Sequence, residues 1–306
     1  MTEINVELLE RSGSITTEAL KRSIEIVKPG KRVIEICDEL ESFVLSQAEG
    51  MAFPVNISIN DVAAHYTSPE NDESVIPENS IVKVDLGAHI DGRISDAAIS
   101  IAFNEEYRKL IETARDAVEL AVSMARPGVA TGKIGEKVYE FVRSRGFITV
   151  RDLQGHQIEQ WKLHAGKNVP AIPIPFSDVM RENEVYAIEI FVTTGSGSVH
   201  EDVTKKYIYS LNERYSNRPR LKISRRVLTH IRKEYKTLPF ARRRVARALG
   251  RQSSLGLSEL EKLGIIRSYP PLVEDLHAPV AQREVSIIVE SDGAKIYAGS
   301  LELPKI

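Results

Sequence analysis

The sequence predicts an α/β protein built from two similar halves. Three observations lead to this class. A helix–Pro-Gly–helix unit occurs at Pro29-Gly30 and again at Pro127-Gly128, β-rich runs lie between and after the two units, and a block of helical pattern interrupts the second half. With 306 residues the chain is long enough to bury a large core.

The repeated unit rests on the spacing of apolar residues. They recur at helical spacing over residues 17–27 and 33–44, and the pattern returns over residues 114–125 and 134–142. Proline lacks an amide donor and glycine is conformationally free, so each Pro-Gly pair ends the first helix of its unit. The repetition predicts an internal duplication whose two halves face each other.

The strands between the two units form a predicted hairpin. Two β-rich runs over residues 81–103 flank Asp91-Gly92, a strong hairpin signal. A turn centred on that pair places Asp85 opposite Ala98, two residues from Asp96, whereas a turn one residue earlier places Asp85 directly opposite Asp96. Side chains alternate along a strand, so both carboxylates face the same side in either register.

Two carboxylates on one apolar face repel each other and resist ionisation unless a cation lies between them. A divalent metal is the natural candidate. The alternative is that one aspartate caps a turn while the other is solvated, and the hairpin by itself leaves both interpretations open.

Three further residues extend the candidate set. His156 follows a glycine, Glu189 lies within a strand predicted over residues 184–192, and Glu284 stands at the start of a strand predicted over residues 285–290. Acids rarely occupy apolar strands without a partner. Four carboxylates would balance the charge of two divalent ions, and oxygen ligands with one imidazole suit Mn, Fe, Co or Zn.

Charge is distributed unevenly along the chain. Residues 204–251 contain 16 Lys and Arg and only two acids, Glu213 and Glu234, although the net charge of the whole chain is −2. The helical pattern of residues 221–263 falls in the same region. We therefore expect a catalytic domain of residues 1–203 and 272–306, interrupted by an inserted basic helical subdomain of residues 204–271.

Composition narrows the class of protein. Hydrophobic and charged contents of 42% and 27% are ordinary for a soluble globular protein. Cys37 is the single cysteine, which excludes an internal disulfide and fits a reducing compartment. The first residues are acidic and polar, and no apolar run is long enough to span a bilayer. We expect a cytoplasmic protein with no membrane contact.

Sequence blocks now connect the candidate residues. VDLGAHIDGRISDAA, LQGHQIEQWKLHAGKNVP, YAIEIFVTTG and AQREVSI, in that order, resemble the metal-binding blocks of methionine aminopeptidases, which are M24 metallopeptidases. AFPVNISINDVAAHYT resembles the substrate-side block of that family. The helical insertion resembles the type 2 subfamily, and the short N-terminal part resembles its archaeal members. This resemblance implies an α/β (α+β) pita-bread fold of the creatinase/aminopeptidase kind, with a pseudo-twofold repeat and an inserted helical, winged-helix-like subdomain.

The resemblance also implies roles for individual residues. The metal ligands would be Asp85, Asp96, His156, Glu189 and Glu284, holding two divalent ions (Co, Mn, Fe or Zn), with Asp96 and Glu284 as bridges. Glu189 would in addition be catalytic.

His65 and His164 match the family's two histidines that face the substrate and act in catalysis, and Phe53 matches a residue of the methionine pocket. The implied reaction is removal of the N-terminal methionine from nascent proteins, by a monomer. The basic insert would dock near ribosomal RNA, although a solvated surface that offsets an acidic body is the other interpretation.

Some positions depart from the family pattern without removing a ligand. Arg283, Val285 and Ser286 replace an aromatic residue and His-Thr around the last glutamate, and Glu159 and Trp161 replace Gly and Tyr. An ion pair between Arg283 and Glu159 is one arrangement that the sequence allows. Two other functions remain open: an X-Pro aminopeptidase or prolidase on the same fold, and a non-catalytic relative that binds nucleic acid.

Overall fold

A computed structural model describes residues 4–212 and 214–301 of the chain. Glu213 lies outside the described residues, as do both ends of the predicted catalytic domain (residues 1–3 and 302–306). The helices are α1 (Val6–Ile26), α2 (Val33–Leu45), α3 (Arg108–Met124), α4 (Thr131–Ser144), α5 (Lys222–Glu234), α6 (Arg242–Leu249) and α7 (Ser253–Lys262).

The strands are β1 (Gly50–Ile59), β2 (Val62–Ala64), β3 (Ile81–Ile90), β4 (Arg93–Ile94), β5 (Ala97–Ala102), β6 (Ile148–Thr149), β7 (Gly155–Ile158), β8 (Asn168–Val169), β9 (Val185–Thr193), β10 (Val199–Glu201), β11 (Ile208–Leu211), β12 (Phe240–Ala241), β13 (Ile266–Tyr269), β14 (Leu272–Glu274), β15 (Val280–Val289) and β16 (Ala294–Ala298). No helix within the described residues is long and apolar enough to cross a membrane.

One ten-stranded sheet organises the molecule. Its main path is β1-β3-β5-β15-β9-β7-β8, with β4 on β3, β16 on β15 and β6 on β9. Helices α1 and α2 share a core with β1, β3 and β5, and helices α3 and α4 share a second core with β9 and β15. The two helix–Pro-Gly–helix units thus cover two halves of one sheet, as the duplication predicts. The opposite face of the sheet carries the candidate ligands.

Helix α1 begins eleven residues before the predicted position. The side chain of Asn5 caps it by accepting a hydrogen bond from the amide of Leu8 at 3.1 Å. The added turns bury Ser12, Gly13 and Thr16, which are small or polar, so a search for apolar spacing misses them. Sheet contact, rather than hydrophobicity, selects these residues.

The hairpin between β3 and β5 adopts the register centred on Asp91-Gly92. Both turn residues have positive φ, 48° and 70°, as a two-residue hairpin turn of this type requires. Asp85 pairs with Ala98, and Asp96 lies just before β5.

Strand β15 differs from the prediction. It begins at Val280 rather than near residue 285, so Glu284 lies in mid-strand and not at a strand start. Gln282 and Arg283 interrupt the apolar pattern, yet both are buried because they have hydrogen-bond partners inside the fold. Polar residues that are satisfied in this way hide a strand from a pattern search.

The basic region is not purely helical. Helices α5, α6 and α7 pack with a small sheet of order β12-β11-β13 around a core of their own. Strand β12 falls within the predicted helical block. Its two residues, Phe240 and Ala241, pair with β11 and are buried. Strand β10 precedes the basic region and strand β14 follows it. The two strands pair with each other, with Glu201 opposite Leu272.

Several basic side chains of this region form ion pairs with the rest of the protein. Four arginines at the start and middle of α6 contact carboxylates on α2 and in the loop after β2. These pairs are Arg242–Glu70, Arg243–Glu41, Arg244–Glu41 and Arg247–Asp38. Part of the positive charge in residues 204–251 therefore attaches α6 to α2.

Candidate metal centre

Neighbouring strands place four of the five predicted ligands, and a loop places the fifth. Asp85 on β3 and Glu284 on β15 both pair with Ala98 of the strand between them, and Glu284 pairs directly with Glu189 on β9. Paired residues on adjacent strands have side chains on the same face, so these three carboxylates form a row across the sheet. His156 on β7 lies beyond Glu189, and Asp96 lies just before β5.

The five candidate ligands form two groups of three that share one residue. Asp96, His156 and Glu284 each present one ligand atom, and these atoms lie within 4.8 Å of one another. The same limit holds for Asp85, Glu189 and Glu284. Glu284 alone belongs to both groups, whereas Asp96, expected as a second bridge, faces His156, with 3.5 Å between its Oδ2 and the imidazole Nε2.

The candidate carboxylate ligands are buried, and their negative charges need a nearby positive charge to be stable. Burial raises the pKa of Asp85, Glu189 and Glu284 well above their usual values, and repulsion among the carboxylates raises the pKa values further. Among the described residues, no group makes a hydrogen bond to Asp85 Oδ1, His156 Nδ1 or Glu284 Oε2, all of which are buried. Because uncompensated buried charges cost several kcal/mol, divalent cations fit this donor set.

All eight residues predicted for the site line one cavity of about 240 Å³. They are Phe53, His65, Asp85, Asp96, His156, His164, Glu189 and Glu284. The geometry thus combines a carboxylate-rich ligand cluster with two additional histidines and an aromatic wall.

Comparison with known proteins identifies the family. Residues 7–209 match metallopeptidase family M24. The chain is also 38% identical over 296 residues to the methionine aminopeptidase of Pyrococcus horikoshii, which covers 96% of this chain and 99% of that relative. The chain belongs to the M24 metallopeptidases.

Other comparisons refine this assignment. Methionine aminopeptidase 2 of Verticillium alfalfae is 34% identical over 285 residues, covering 86% of this chain and 64% of that protein. The solved structure of a thermophilic Arx1 superimposes with a TM-score of 0.85 at 18% identity, covering 97% of this chain and 92% of that one. The predicted pita-bread class and the resemblance to type 2 methionine aminopeptidases are confirmed. As an M24 member the chain is a metallo-aminopeptidase, a hydrolase that uses divalent metal.

The two additional histidines of this M24 site are held neutral. Burial lowers the pKa of His65 to about 4, against a smaller opposing effect of a hydrogen bond to the backbone of Pro270. His65 also has a positive φ of 64° and packs edge-on against Tyr269 at 5.7 Å between ring centroids. Burial lowers the pKa of His164 well below its usual value, and His156, whose ring centroid is 4.2 Å away, lowers it further.

Gln282 is a functional residue that the sequence analysis did not single out. Its amide donates to Asp85 Oδ2 at 3.3 Å and to Glu189 Oε1 at 2.9 Å, so one side chain orients two candidate ligands. Its position two residues before Glu284, on the same face of β15, is the signal that would have found it.

Residues 204–271 also contribute to the cavity. Ile208, Pro239 and Tyr269 line it, and all three belong to the region that the sequence assigned to a separate subdomain. The sequence of this region is notable for its basic residues, but those of its residues that line the cavity are uncharged.

Two of the three departures around Glu284 point away from the ligand side of the sheet, and the third, Ser286, lies on that side beside Asp96. Arg283 and Val285 alternate with Glu284 and so face the helix side, where Val285 joins the core beneath α3 and α4. Ser286 Oγ accepts from the amide of Asp96 at 2.9 Å and donates to the Asp96 carbonyl at 2.6 Å, which fixes that ligand's backbone.

The departures near His156 also have separate partners. Glu159 forms an ion pair with Lys162 at 3.2 Å, while Arg283 donates to the carbonyl of Ser300. Because Arg283 points to the helix side, the ion pair between Glu159 and Arg283 that the sequence allowed is not formed. Trp161 packs on the hairpin turn at Gly92 and beside His89.

Proposed function

We propose that this chain removes the N-terminal methionine from nascent proteins by two-metal hydrolysis of the first peptide bond. The observation that carries the proposal is the pair of ligand groups sharing Glu284, in a cavity that also contains His65, His164 and Phe53. The 38% identity to a methionine aminopeptidase over nearly the whole of both chains supports the same reaction.

In this proposal the ligand groups divide the metal binding. Asp85, Glu189 and Glu284 would hold one ion, and Asp96, His156 and Glu284 the other. Co, Mn, Fe and Zn all suit oxygen ligands with one imidazole. When bound, such ions lower the pKa of water and polarise a carbonyl group.

The remaining steps belong to the protein's own residues. Glu189, oriented by Gln282, would accept a proton from the attacking water and transfer it to the leaving amine. His164 is neutral near pH 7, so its one N–H can donate to charge developing on the scissile group. The neutral ring of His65 donates its one N–H to the backbone carbonyl of Pro270, so its other ring nitrogen can accept a hydrogen bond from the leaving amine. Phe53, which is 7% exposed, would contact the methionine side chain.

A peptide assay tests this function. We expect the metal-loaded protein to release methionine from Met-Ala-Ser and to leave an X-Pro peptide intact. The protein should lose this activity after chelation, and an Asp96→Asn variant should be inactive. Continued turnover of Met-Ala-Ser by metal-free Asp96→Asn protein would exclude the proposed chemistry, and preferential cleavage of the X-Pro peptide would favour a prolidase instead.

We further propose that residues 204–271 form an inserted subdomain of a monomeric enzyme and contact ribosomal RNA. Exposed cations follow one side of α5, and among the described residues only Lys233 of this set forms an ion pair, with Glu234 at 3.2 Å. The cations are Lys222, Arg225, Arg226, Arg232 and Lys233. Such a face suits phosphate contacts, whose strength depends on salt.

The test of ribosome docking should use α5 and not α6, because Arg242, Arg243 and Arg244 are paired with carboxylates of the same protein. We expect an Arg225→Glu, Arg226→Glu, Arg232→Glu variant to lose salt-sensitive cosedimentation with ribosomes while cleaving Met-Ala-Ser normally. Unchanged cosedimentation would remove the support for docking. The apparent mass of the protein in solution checks the monomer.

A further inference from the structure

A second cavity, of about 300 Å³, adjoins the metal-centre cavity. Leu163, His164, Pro239 and Tyr269 line both cavities. One wall of the second cavity is the segment 161–164 that follows β7, and the facing wall comes from β11, β13 and the residues before β12. The two cavities therefore meet at His164 and at Tyr269, which packs against His65.

The second cavity is positively charged. Lys162, Arg214 and Arg267 line it, and among the described residues no carboxylate does. Lys162 is paired with Glu159, but neither arginine forms an ion pair with a carboxylate in residues 4–212 or 214–301. The two arginines therefore supply the positive charge that no carboxylate of the described residues pairs with.

Arg267 is held where it can act on a ligand. Its Nε donates to Ser210 Oγ at 3.1 Å, and its guanidinium lies over the ring of Tyr269 at 5.1 Å from the centroid. These contacts fix the guanidinium beside the shared wall without neutralising it. A positioned arginine is well suited to bind a carboxylate.

The opposite wall is also fixed in place. The Trp161 carbonyl accepts a hydrogen bond from the hydroxyl of Thr237. Lys236 Nζ lies 3.4 Å from the centroid of the Trp161 ring. The indole packs so closely on Gly92 that a Cβ at that residue would lie 2.3 Å from Trp161 Cε2. The segment is thus held between the hairpin turn and the inserted region, which lowers the entropy lost when a ligand binds.

We propose that the second cavity receives the substrate residues downstream of the scissile bond and that Arg214 and Arg267 favour acidic side chains there. This inference rests on the proposed function, which places the methionine and the scissile bond in the metal-centre cavity. The rest of the peptide must then leave along a wall of that cavity, and the wall at His164 and Tyr269 borders the cationic space. Proteins with Asp or Glu at their third and fourth positions are the expected preferred substrates.

Three tetrapeptides test the preference: Met-Ala-Ser-Ser, Met-Ala-Asp-Asp and Met-Ala-Lys-Lys, each with the metal-loaded enzyme at low salt. An exposed ion pair contributes about 0.2–1 kcal/mol, so we expect about a 1.4- to 5-fold gain in kcat/KM for each acidic residue engaged. The lysine peptide should be cleaved less efficiently than the serine peptide. Added salt of about 0.5 M should shrink all these ratios.

Variants assign the preference to the cavity. An Arg214→Gln, Arg267→Gln variant should bring the ratio of acidic to neutral peptide close to one. Arg267→Lys should retain most of the preference, because it keeps the charge but changes the stacking on Tyr269. Arg226→Gln, an exposed charge on α5 outside the cavity, should leave the ratio unchanged.

The outcomes separate the two proposals. If Met-Ala-Ser-Ser is not cleaved by the metal-loaded enzyme, the proposed function fails. If it is cleaved but the three peptides are equivalent, or if the preference survives in the double glutamine variant, the role of this cavity is wrong while the proposed function stands.

Discussion

Replacing Arg243 by methionine should destabilise this protein much more than replacing an exposed arginine of the same basic region. Arg243 has no accessible surface although it belongs to the most basic segment of the chain. Its Nη2 donates to Glu41, and its Nη1 donates to Thr67 Oγ1 at 2.6 Å and to the Ser68 carbonyl at 3.0 Å. Glu41 is itself only 1% exposed.

The magnitude follows from what Glu41 would lose. Methionine fills a similar volume but leaves the Glu41 carboxylate buried, and within residues 4–212 and 214–301 its one remaining ion-pair partner is Arg244, at 3.5 Å. Removing one member of a buried pair costs about 3–5 kcal/mol. Arg247, whose pair with Asp38 at 2.7 Å is partly exposed, is the matched control, and Arg247→Gln should cost about 1 kcal/mol or less.

Guanidinium unfolding followed by tryptophan fluorescence measures both effects. Trp161 is the single tryptophan and lies against Lys236 of the inserted region, so its emission reports on that contact. A double variant, Arg243→Met with Glu41→Leu, should recover much of the lost stability because no buried charge is left unpaired. The reasoning is refuted if Arg243→Met costs no more than Arg247→Gln, or if the double variant is as unstable as the sum of its parts.

Three other predictions concern separate parts of the molecule. Gln282→Leu should weaken metal binding by about 10- to 100-fold by removing the hydrogen bonds to Asp85 and Glu189, measured by calorimetry; unchanged affinity would show that the ligands need no such support. Burial raises the pKa of Cys37 to about 11 from 9.0, so this thiol should resist Ellman's reagent at pH 8 until the protein unfolds. The stability that the buried, neutral thiol contributes should be complete below pH 9 and should decline as pH rises through 11, a decline that Cys37→Ala should lack. Rapid labelling of the native protein would contradict the prediction. Gly13→Ala should lower the unfolding free energy by about 1–3 kcal/mol, because the added Cβ would lie 1.9 Å from the Tyr297 carbonyl oxygen. Gly293→Ala is the control, since a Cβ there meets nothing within 4 Å and should leave the stability unchanged. Equal effects of the two changes in thermal unfolding would rule out this account.

Local patterns predicted much of the framework correctly. Helical spacing broken by Pro-Gly located α2, α3 and α4, and the Asp91-Gly92 signal predicted the hairpin that pairs β3 with β5. These features depend on residues close together in the chain, so a short stretch of sequence contains the information. The first half of α1 and the start of β15 were missed because their buried residues are small or polar and are selected by distant partners.

The ligand set was reached in two ways. The parity of the hairpin placed Asp85 and Asp96 on one face, whereas His156, Glu189 and Glu284 were joined to them through the family resemblance. The direct pairing of Glu284 with Glu189 connects residues far apart in sequence, and no local period encodes such a neighbour. Gln282 was missed because the strand was predicted to begin at residue 285, whereas β15 begins at Val280 and places Gln282 on the same face as Glu284.

The sequence by itself determined the fold class, the hairpin with Asp85 and Asp96 on one face and the residue types available for metal binding, because periodicity and turn chemistry act over a few residues. Of the two hairpin registers that the sequence left open, the structure has the one centred on Asp91-Gly92. Only the tertiary structure decided how the basic region is used. Its arginines on α6 pair with carboxylates on α2 and in the loop after β2. Its residues Ile208 and Tyr269 line the metal cavity, and Arg214 and Arg267 line the space beside it. A net charge counts these cations equally, but burial and the nearest carboxylate determine whether each one stabilises the fold or faces a substrate.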